Sequence, residues 1–306
     1  MSAGGLIGPG DVLECVVNVS EGRDAAVIAA MSSVAGAALL DVHTDADHNR
    51  SVLTLAGPAA EVTRAARQVV TEAVARIDIG RHRGVHPRLG AVDVVPWVHL
   101  VTGPDGRLRD GGPEVATRAR DRFAAWAGAE LGLPCFLYGP GSGRSLPDLR
   151  RHAWRDYRPD TGPDRPHPTS GATCVGARPV LVAYNLWLAE PDLTRARRVA
   201  AEVRQAGIRT LGLQVGPDVQ VSCNLIDPWT VGPGAAFDAV ASRVEVRRAE
   251  LVGLLPLAVL DAIPSSRWSL LDVGPAATIE ARLGRAGLDG GRFTWVWPPS
   301  GGGPPD

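Results

Sequence analysis

Positions 81 to 97 read Arg81-His82-Arg83-Gly84-Val85-His86-Pro87-Arg88-Leu89-Gly90-Ala91-Val92-Asp93-Val94-Val95-Pro96-Trp97, crowding two imidazoles and three guanidiniums ahead of an apolar run. An imidazole, with an unperturbed pKa of about 6.5, takes and returns a proton near neutrality. Arginines fix carboxylates through paired hydrogen bonds. Gly84 and Pro87 oppose a regular helix through both histidines, one by its backbone entropy and the other by lacking an amide donor. The stretch is therefore expected to be a shaped loop entering a strand. The same residues also suit a solvated loop whose arginines only keep it soluble, and spacing alone leaves both readings open.

The elements that must hold this loop alternate in type. Segments 12–19, 38–43, 50–56 and 92–101 read as strands. An Ala-rich helix is expected at 25–35, behind a turn at Ser20-Glu21-Gly22-Arg23-Asp24 that can cap it. The clearest helix is 59–78, where Val62, Ala65, Ala66, Val69, Val70, Ala73, Val74 and Ile77 recur at three- and four-residue spacing. Strand, helix, strand, strand, helix, strand is the order of a ferredoxin-like unit. A helix at about 114–131 and a short strand at 135–138 extend it. The passage 139–178, dense in Gly, Pro, Arg and Asp, is expected to be irregular, as either a functional loop or a linker. The order then repeats, with a strand at 180–188, a helix at 192–206, strands at 208–215 and 219–226, a helix at about 234–248 and an apolar segment at 251–260. Two related sheets facing each other across a groove follow from that repetition.

The bulk properties narrow the function classes. A chain of 306 residues suits two domains of about 150 each. Net charge is −1 and the pI about 6.7, so no nucleic-acid or membrane partner is expected, and an anionic ligand must be drawn by local arginines. The first ten residues lack a basic and an apolar region of signal-peptide type, and no apolar run approaches the roughly eighteen residues of a membrane span. A cytoplasmic location is the expectation. Cys15, Cys135, Cys174 and Cys223 are far apart, each within an apolar run, and read as reduced core residues. His43, His48, His82 and His86 invite a metal. However, no glutamate stands between His82 and His86 as a helical metalloprotease motif requires, and arginines on both sides of His82 oppose a cation. Asp41, Asp45 and Asp47 lack the glycine and glutamate of a calcium loop. No metal is expected. No phosphate-binding glycine loop or nucleophile-elbow serine occurs, and Gly139-Pro140-Gly141-Ser142-Gly143 reads as a plain loop.

Several motifs in one order resemble a single family, the formiminotransferase domain of glutamate formimidoyltransferase. They are Glu14-Cys15-Val16 with Asn18 to Gly22, Leu40-Asp41-Val42 with Asn49-Arg50-Ser51-Val52, and Arg81-His82 with His86-Pro87-Arg88, Gly90-Ala91 and Asp93. They continue through Leu137-Tyr138-Gly139, Gly162-Pro163, Gly171-Ala172-Thr173, Ala183-Tyr184-Asn185, Gln220-Val221-Ser222 with Asn224-Leu225, and Leu251-Val252-Gly253-Leu254, covering about residues 12–263.

The resemblance implies an α+β fold of two ferredoxin-like (βαββαβ-type) subdomains packed around a central groove, at 11–178 and 179–290, followed by a disordered tail at 291–306. It implies a homodimer that transfers a formimino group from N-formimino-L-glutamate to N5 of tetrahydrofolate as co-substrate, within histidine degradation. His86, in the His-Pro-Arg motif, corresponds to the family's catalytic histidine. The folate-binding stretch corresponds to Gly162-Pro163-Asp164-Arg165-Pro166-His167-Pro168-Thr169-Ser170-Gly171. Arg50, Arg81 and Arg88 are the arginines nearest by motif for substrate carboxylates. Asn18, His43 and Asn49 are further binding candidates, although each asparagine equally suits a turn or strand end.

This chain departs from the family at four places. Val85 and His43 stand where it has acids, Trp187 stands for an asparagine, and the folate stretch carries Pro166-His167-Pro168-Thr169-Ser170. His43 is expected to pair with Asp41, Asp45 or Asp47. No cyclodeaminase domain is expected after about residue 265. The competing readings are a folate- or pterin-binding homologue without transferase activity and a metal-dependent hydrolase.

Overall fold

Alternation of covered and open side chains along the strands assigns each sheet two different faces, and this builds the molecule. The computed structural model describes residues 12–84 and 88–289. The elements run β1 Val12–Val19, α1 Ala25–Ala35, β2 Leu39–Asp45, β3 Arg50–Pro58, α2 Ala59–Arg76, β4 Val92–Thr102, β5 Leu108–Asp110, α3 Pro113–Glu130, β6 Cys135–Tyr138, α4 Leu146–His152 and β7 Thr173–Ala177. They continue with β8 Val182–Leu188, α5 Leu193–Glu202, β9 Ile208–Val215, β10 Asp218–Leu225, α6 Pro233–Ala241, β11 Val246–Val252, α7 Leu257–Asp261 and α8 Ile279–Arg285.

The fold is mixed α and β, in two sheets. The first has the order β2-β3-β1-β4-β7-β6, with β5 pairing β4. Its β2, β3, β1 and β4 pair antiparallel, while β7 lies parallel to both β4 and β6. The second sheet is antiparallel throughout, in the order β11-β8-β10-β9.

The outer face of the first sheet is closed by α1, α2 and α3. Val62, Ala65, Ala66, Val69, Val70 and Ala73 form the apolar stripe of α2 and are buried against Cys15, Val17, Leu53, Leu55 and Trp97. Helix α1 starts at Asp24, whose carboxylate accepts from the Ala26 and Val27 amides, so the turn expected to cap it does so. The four described cysteines are free and buried.

The inner face has two separate covers. At one end Leu40, Ala56, Val98, Leu100 and Leu108 pack on Leu254, Ile279 and Leu283, which brings the second sheet and α8 onto the first sheet. Here Glu280, 2% exposed, accepts from the Leu108 and Leu257 amides at 3.1 and 2.8 Å. At the other end Val94, Phe136, Tyr138 and Cys174 are covered by Leu149 of α4 and by Ala172. Between the covers the face is half open: Val16, Asn18, Val52 and His43 are partly exposed, whereas Glu14, Thr54 and Ala56 on the same face are buried.

Two expectations need correction. The passage 139–178 is not uniformly irregular, because it contains α4 and β7. Ser145 caps α4 by accepting from the Asp148 amide, with Pro147 in the first turn, and so short a helix hides among prolines and glycines. The helix expected at 234–248 stops at Ala241, and β11 begins at Val246. The valines at 240 and 244 keep helical spacing, but Ala249 and Leu251 are buried in alternation with more open neighbours while pairing with β8, and that pairing decides the segment.

Glu14 supplies a stability test on the inner face. Burial raises its carboxyl from the ordinary value near 4.5 to about 7, against the pull of Arg178 and with a push from Asp110, and Oε2 has no hydrogen-bond partner among the described residues. Folding takes up a proton in this window, so the stability contributed falls as pH rises from 4.5 to 7. In urea unfolding, Glu14→Gln should gain on the wild type between pH 5 and pH 8, by up to about 3 kcal/mol. An equal gap at both pH values would refute the assignment.

Candidate functional site

The site is assembled around Asp93, 0% exposed at the start of β4. Arg50 at the head of β3 donates Nη1 to Asp93 Oδ2 at 2.7 Å and Nη2 to Asn18 Oδ1 at 2.9 Å. Arg150 of α4 donates Nη1 to Oδ1 at 3.1 Å and Nη2 to Oδ2 at 2.6 Å, and the Leu89 amide donates to Oδ1 at 3.0 Å. Burial alone would raise the Asp93 pKa, but the guanidiniums of Arg50 and Arg150 outweigh it and hold the carboxyl well below the usual aspartate range. One carboxylate thus joins β3, β4, α4 and the loop before β4.

The loop itself is fixed from behind by Asn49, whose φ of 48° turns the chain between β2 and β3. Asn49 Oδ1 accepts from the Gly22 amide at 2.9 Å, and its Nδ2 donates to the Arg83 carbonyl at 3.0 Å. The Asn49 carbonyl lies 2.8 Å from His82 Nε2. A carbonyl only accepts, so His82 carries its proton on Nε2 and leaves Nδ1, which has no partner among the described residues, as an acceptor. Burial lowers the His82 pKa and keeps the ring neutral. Gly84 is required by close approach, since a Cβ there would lie 2.3 Å from the His48 carbonyl oxygen.

The stretch 162–171, eighty residues further along, docks on the same loop. Its hairpin is closed by reciprocal bonds between His167 and Gly171, of 2.8 and 3.0 Å. Ile79 donates to the Thr169 carbonyl at 2.7 Å, Ala91 to that of Ser170 at 2.9 Å, and Ala172 to that of Leu89 at 3.1 Å. A Cβ on Gly90 would lie 2.2 Å from the Ser170 carbonyl oxygen, so glycine allows the two backbones to touch. Ser170 is buried, His167 is half-buried, and Gly162, Pro163, Asp164, Arg165, Pro166, Pro168 and Thr169 are exposed.

The structure therefore brings together Asn18, Asn49, Arg50, His82, Arg88 and the hairpin. Arg88 donates to the carbonyls of Gly84 and His82 and clamps the loop. Arg81, with its side chain 90% exposed, stands 3.4 Å from Asp78 instead. His86, with Val85 and Pro87, lies outside the described residues.

Among the described residues His43 forms no close ion pair with Asp41, Asp45 or Asp47, contrary to expectation, although its charge acts on the Asp41 carboxyl. Its Nε2 is 3.8 Å from Glu250 Oε1 on β11, because β2 lies under the edge of the second sheet. Asp45 instead takes His48, whose Nδ1 is 2.8 Å from Oδ2. Burial works to raise the Asp45 carboxyl, but the hydrogen bonds from His48 prevail and lower it to about 2. The histidines are thus spread over separate partners, and no group of three metal-ligating side chains occurs among the described residues.

Asp93 and Arg150, which hold this cluster together, and Glu250 are not among the candidates that the sequence offers. Asp93 stands in the family-like motif that starts at Arg81, which is the signal that could find it, and Arg150 falls in the Gly- and Pro-rich passage where no helix is expected. A cavity of about 960 Å³ lined by Arg64, Arg67 and Trp126 lies on the outer helical face, remote from this cluster.

Comparisons with known proteins point the same way. The family described as formiminotransferase domain, N-terminal subdomain, matches residues 12–178. A glutamate formimidoyltransferase of Streptococcus pyogenes serotype M1 is 33% identical, over 81% of this chain and 90% of its own length. One from Thermoplasma acidophilum is 31% identical over 80% and 88%. A formimidoyltransferase-cyclodeaminase of Sus scrofa is 33% identical over 82% of this chain and 51% of its own, so the chain spans about half of that longer relative.

Asp93→Asn should lower the unfolding free energy at pH 7 by about 3 kcal/mol, because two guanidiniums then lose their buried counter-charge. A carboxyl with depressed pKa stabilises fully above its unfolded value of about 3.9 and loses that contribution as pH falls towards its folded value. The gap between wild type and variant, measured in urea, should be flat from pH 7 to 5 and narrow below about pH 4. A gap that persists unchanged to pH 3 would refute the assignment.

Proposed function

Because this chain belongs to the formiminotransferase family and is an enzyme of transferase type, we propose that it moves a formimino group from N-formimino-L-glutamate to N5 of tetrahydrofolate. The observation that carries this reading is convergence. The stretches around Asn18, Asn49, His82 and Asp93 and the hairpin ending at Gly171 are far apart in sequence, yet Asp93, Asn49 and the Thr169 carbonyl tie them into one wall of a half-open cleft.

The residues present fit such substrates. A tetrahydropterin, with a flat pyrimidine ring fused to a reduced one, needs an apolar surface edged with polar groups, which Val16 and Val52 beside Asn18 and His43 provide. The exposed hairpin, with Arg165, offers contacts for an anionic tail.

In the reaction, N5 attacks the amidine carbon and a new N5–C bond forms in a tetrahedral adduct. Collapse of the adduct breaks the bond from that carbon to the glutamate nitrogen. N5 gives up one proton and the departing nitrogen takes one, so 5-formiminotetrahydrofolate and L-glutamate account for all atoms. One imidazole can perform both transfers. The free acceptor of His82, Nδ1, is buried out of reach of a ligand in the cleft, so we assign the transfers to His86.

Within this reading the two β-α-β-β-α-β runs are ferredoxin-like units, at 11–178 and 179–290. The chain acts as a cytoplasmic homodimer without a metal. No helix among the described residues is long and apolar enough to cross a membrane.

Purified protein given tetrahydrofolate and N-formimino-L-glutamate should yield 5-formiminotetrahydrofolate, identified by mass. His86→Ala should slow this by about 100-fold or more without lowering the melting temperature. Binding of tetrahydrofolate with no product would favour the non-catalytic reading, and no folate binding would overturn the assignment.

A further inference from the structure

The second sheet contributes a charged pair to the cleft that the reaction as written does not use. Glu250, on β11, points its carboxylate towards β2. Its Oε2 accepts from Trp187 Nε1 at 2.8 Å and from Asn185 Nδ2 at 3.1 Å, which fixes the plane of the group. Its Oε1 accepts no hydrogen bond from the described residues. It stands 3.8 Å from His43 Nε2 and 3.7 Å from Arg248 Nη1, within range of charge but beyond hydrogen-bond length. The side chain is 18% exposed and His43 is 24% exposed, so neither is sealed from solvent. Arg248 is held beside it over the Trp187 ring, with its guanidinium carbon 4.3 Å from the centroid.

We propose that Glu250 and Arg248 form the donor subsite, Glu250 Oε1 taking the cationic amidine and Arg248 the neighbouring carboxylate of a formimino-amino acid. The inference rests on the transferase reading above and specifies which residues of the cleft select the donor.

The chemistry follows from the ligand's charges. An amidine is protonated near neutrality, and in a formimino-amino acid it sits one carbon from the α-carboxylate. Glu250 Oε1 and Arg248 Nη1, 3.7 Å apart, present opposite charges side by side, so the amidinium and the neighbouring carboxylate of one molecule can each meet its opposite charge. Charge-assisted contacts of this kind are stronger than neutral ones. A formyl group has the same size and carries no charge, so Oε1 gains little from it. Keeping the amidine protonated also keeps its carbon electrophilic towards the attacking nitrogen. Asn185 and Trp187 do not touch the donor in this arrangement. They are positioning residues for the Glu250 carboxylate.

Binding of N-formimino-L-glutamate and of N-formyl-L-glutamate should be measured by calorimetry for wild type, Glu250→Gln, Trp187→Phe and Arg248→Gln, with tetrahydrofolate affinity and melting temperature alongside. The wild type should prefer the formimino compound. Glu250→Gln retains an acceptor for Asn185 and Trp187, and should weaken formimino binding by about tenfold or more while leaving formyl and tetrahydrofolate binding within about twofold. Trp187→Phe should reduce the same preference by a smaller factor, and Arg248→Gln should weaken both compounds alike. Equal loss of both compounds in Glu250→Gln, or an unchanged preference, would overturn the subsite while wild-type turnover left the transferase reading intact. A wild type that binds neither compound and makes no product would overturn both.

Discussion

A buried carboxylate held between two guanidiniums governs the active end of this molecule. Asp93 has no contact with water, and its charge survives there only because Arg50 and Arg150 approach from different elements and the Leu89 amide adds a further donor. Each arginine is in turn placed by what it leaves: β3 for Arg50, α4 for Arg150. The arrangement is therefore reciprocal. The ion cluster requires that β3, β4 and α4 be correctly docked, and their docking fixes where Asn18 and the His/Arg loop stand.

The same constraint explains why the inner face of the first sheet is left partly open. A sheet buries an apolar face by covering it, and here two unrelated covers share the work. The second sheet with α8 takes the end marked by Ala56, Val98 and Leu100, and α4 takes the end marked by Val94 and Phe136. Neither spans the middle. The uncovered strip holds Val16, Asn18, Val52 and His43, a mixture of apolar surface and polar edges that suits a ligand better than a core. Buried polar groups at the sheet–sheet contact, such as Glu280 with its two amide donors, fix how the second sheet sits and so where Glu250 reaches.

Polar groups at the cleft are also divided by role. Asn49 is spent on the backbone and the one N–H of the buried His82 ring on the Asn49 carbonyl, which makes them supports. Arg88 spans its own loop and belongs with them. Glu250 keeps one oxygen without a hydrogen bond from the described residues, and the hairpin at 162–171 keeps most of its side chains in solvent. The distinction between committed and available polar atoms separates the framework from the surface that meets substrate.

Local rules were enough to read much of this from the chain. Strand alternation at 12–19 and the three- and four-residue spacing through 59–76 specify β1 and α2 because side-chain periodicity is a property of the backbone itself. The motif order specified the family, and the crowding of His82, Arg83, Arg88 and Gly90 marked the loop where chemistry would gather. Short elements were less legible: α4, seven residues among prolines and glycines, carries too few periodic positions, and β11 is chosen by its pairing with β8 over a competing helical spacing. The partners of charged side chains were not legible at all. His43 was read against the acids nearest in sequence and meets Glu250, and Asp93 finds Arg150 fifty-seven positions away. Such pairs depend on how two sheets and a short helix pack in space. Charge acts over distance in three dimensions, while periodicity acts along the chain, so only the tertiary structure decided which ions would meet.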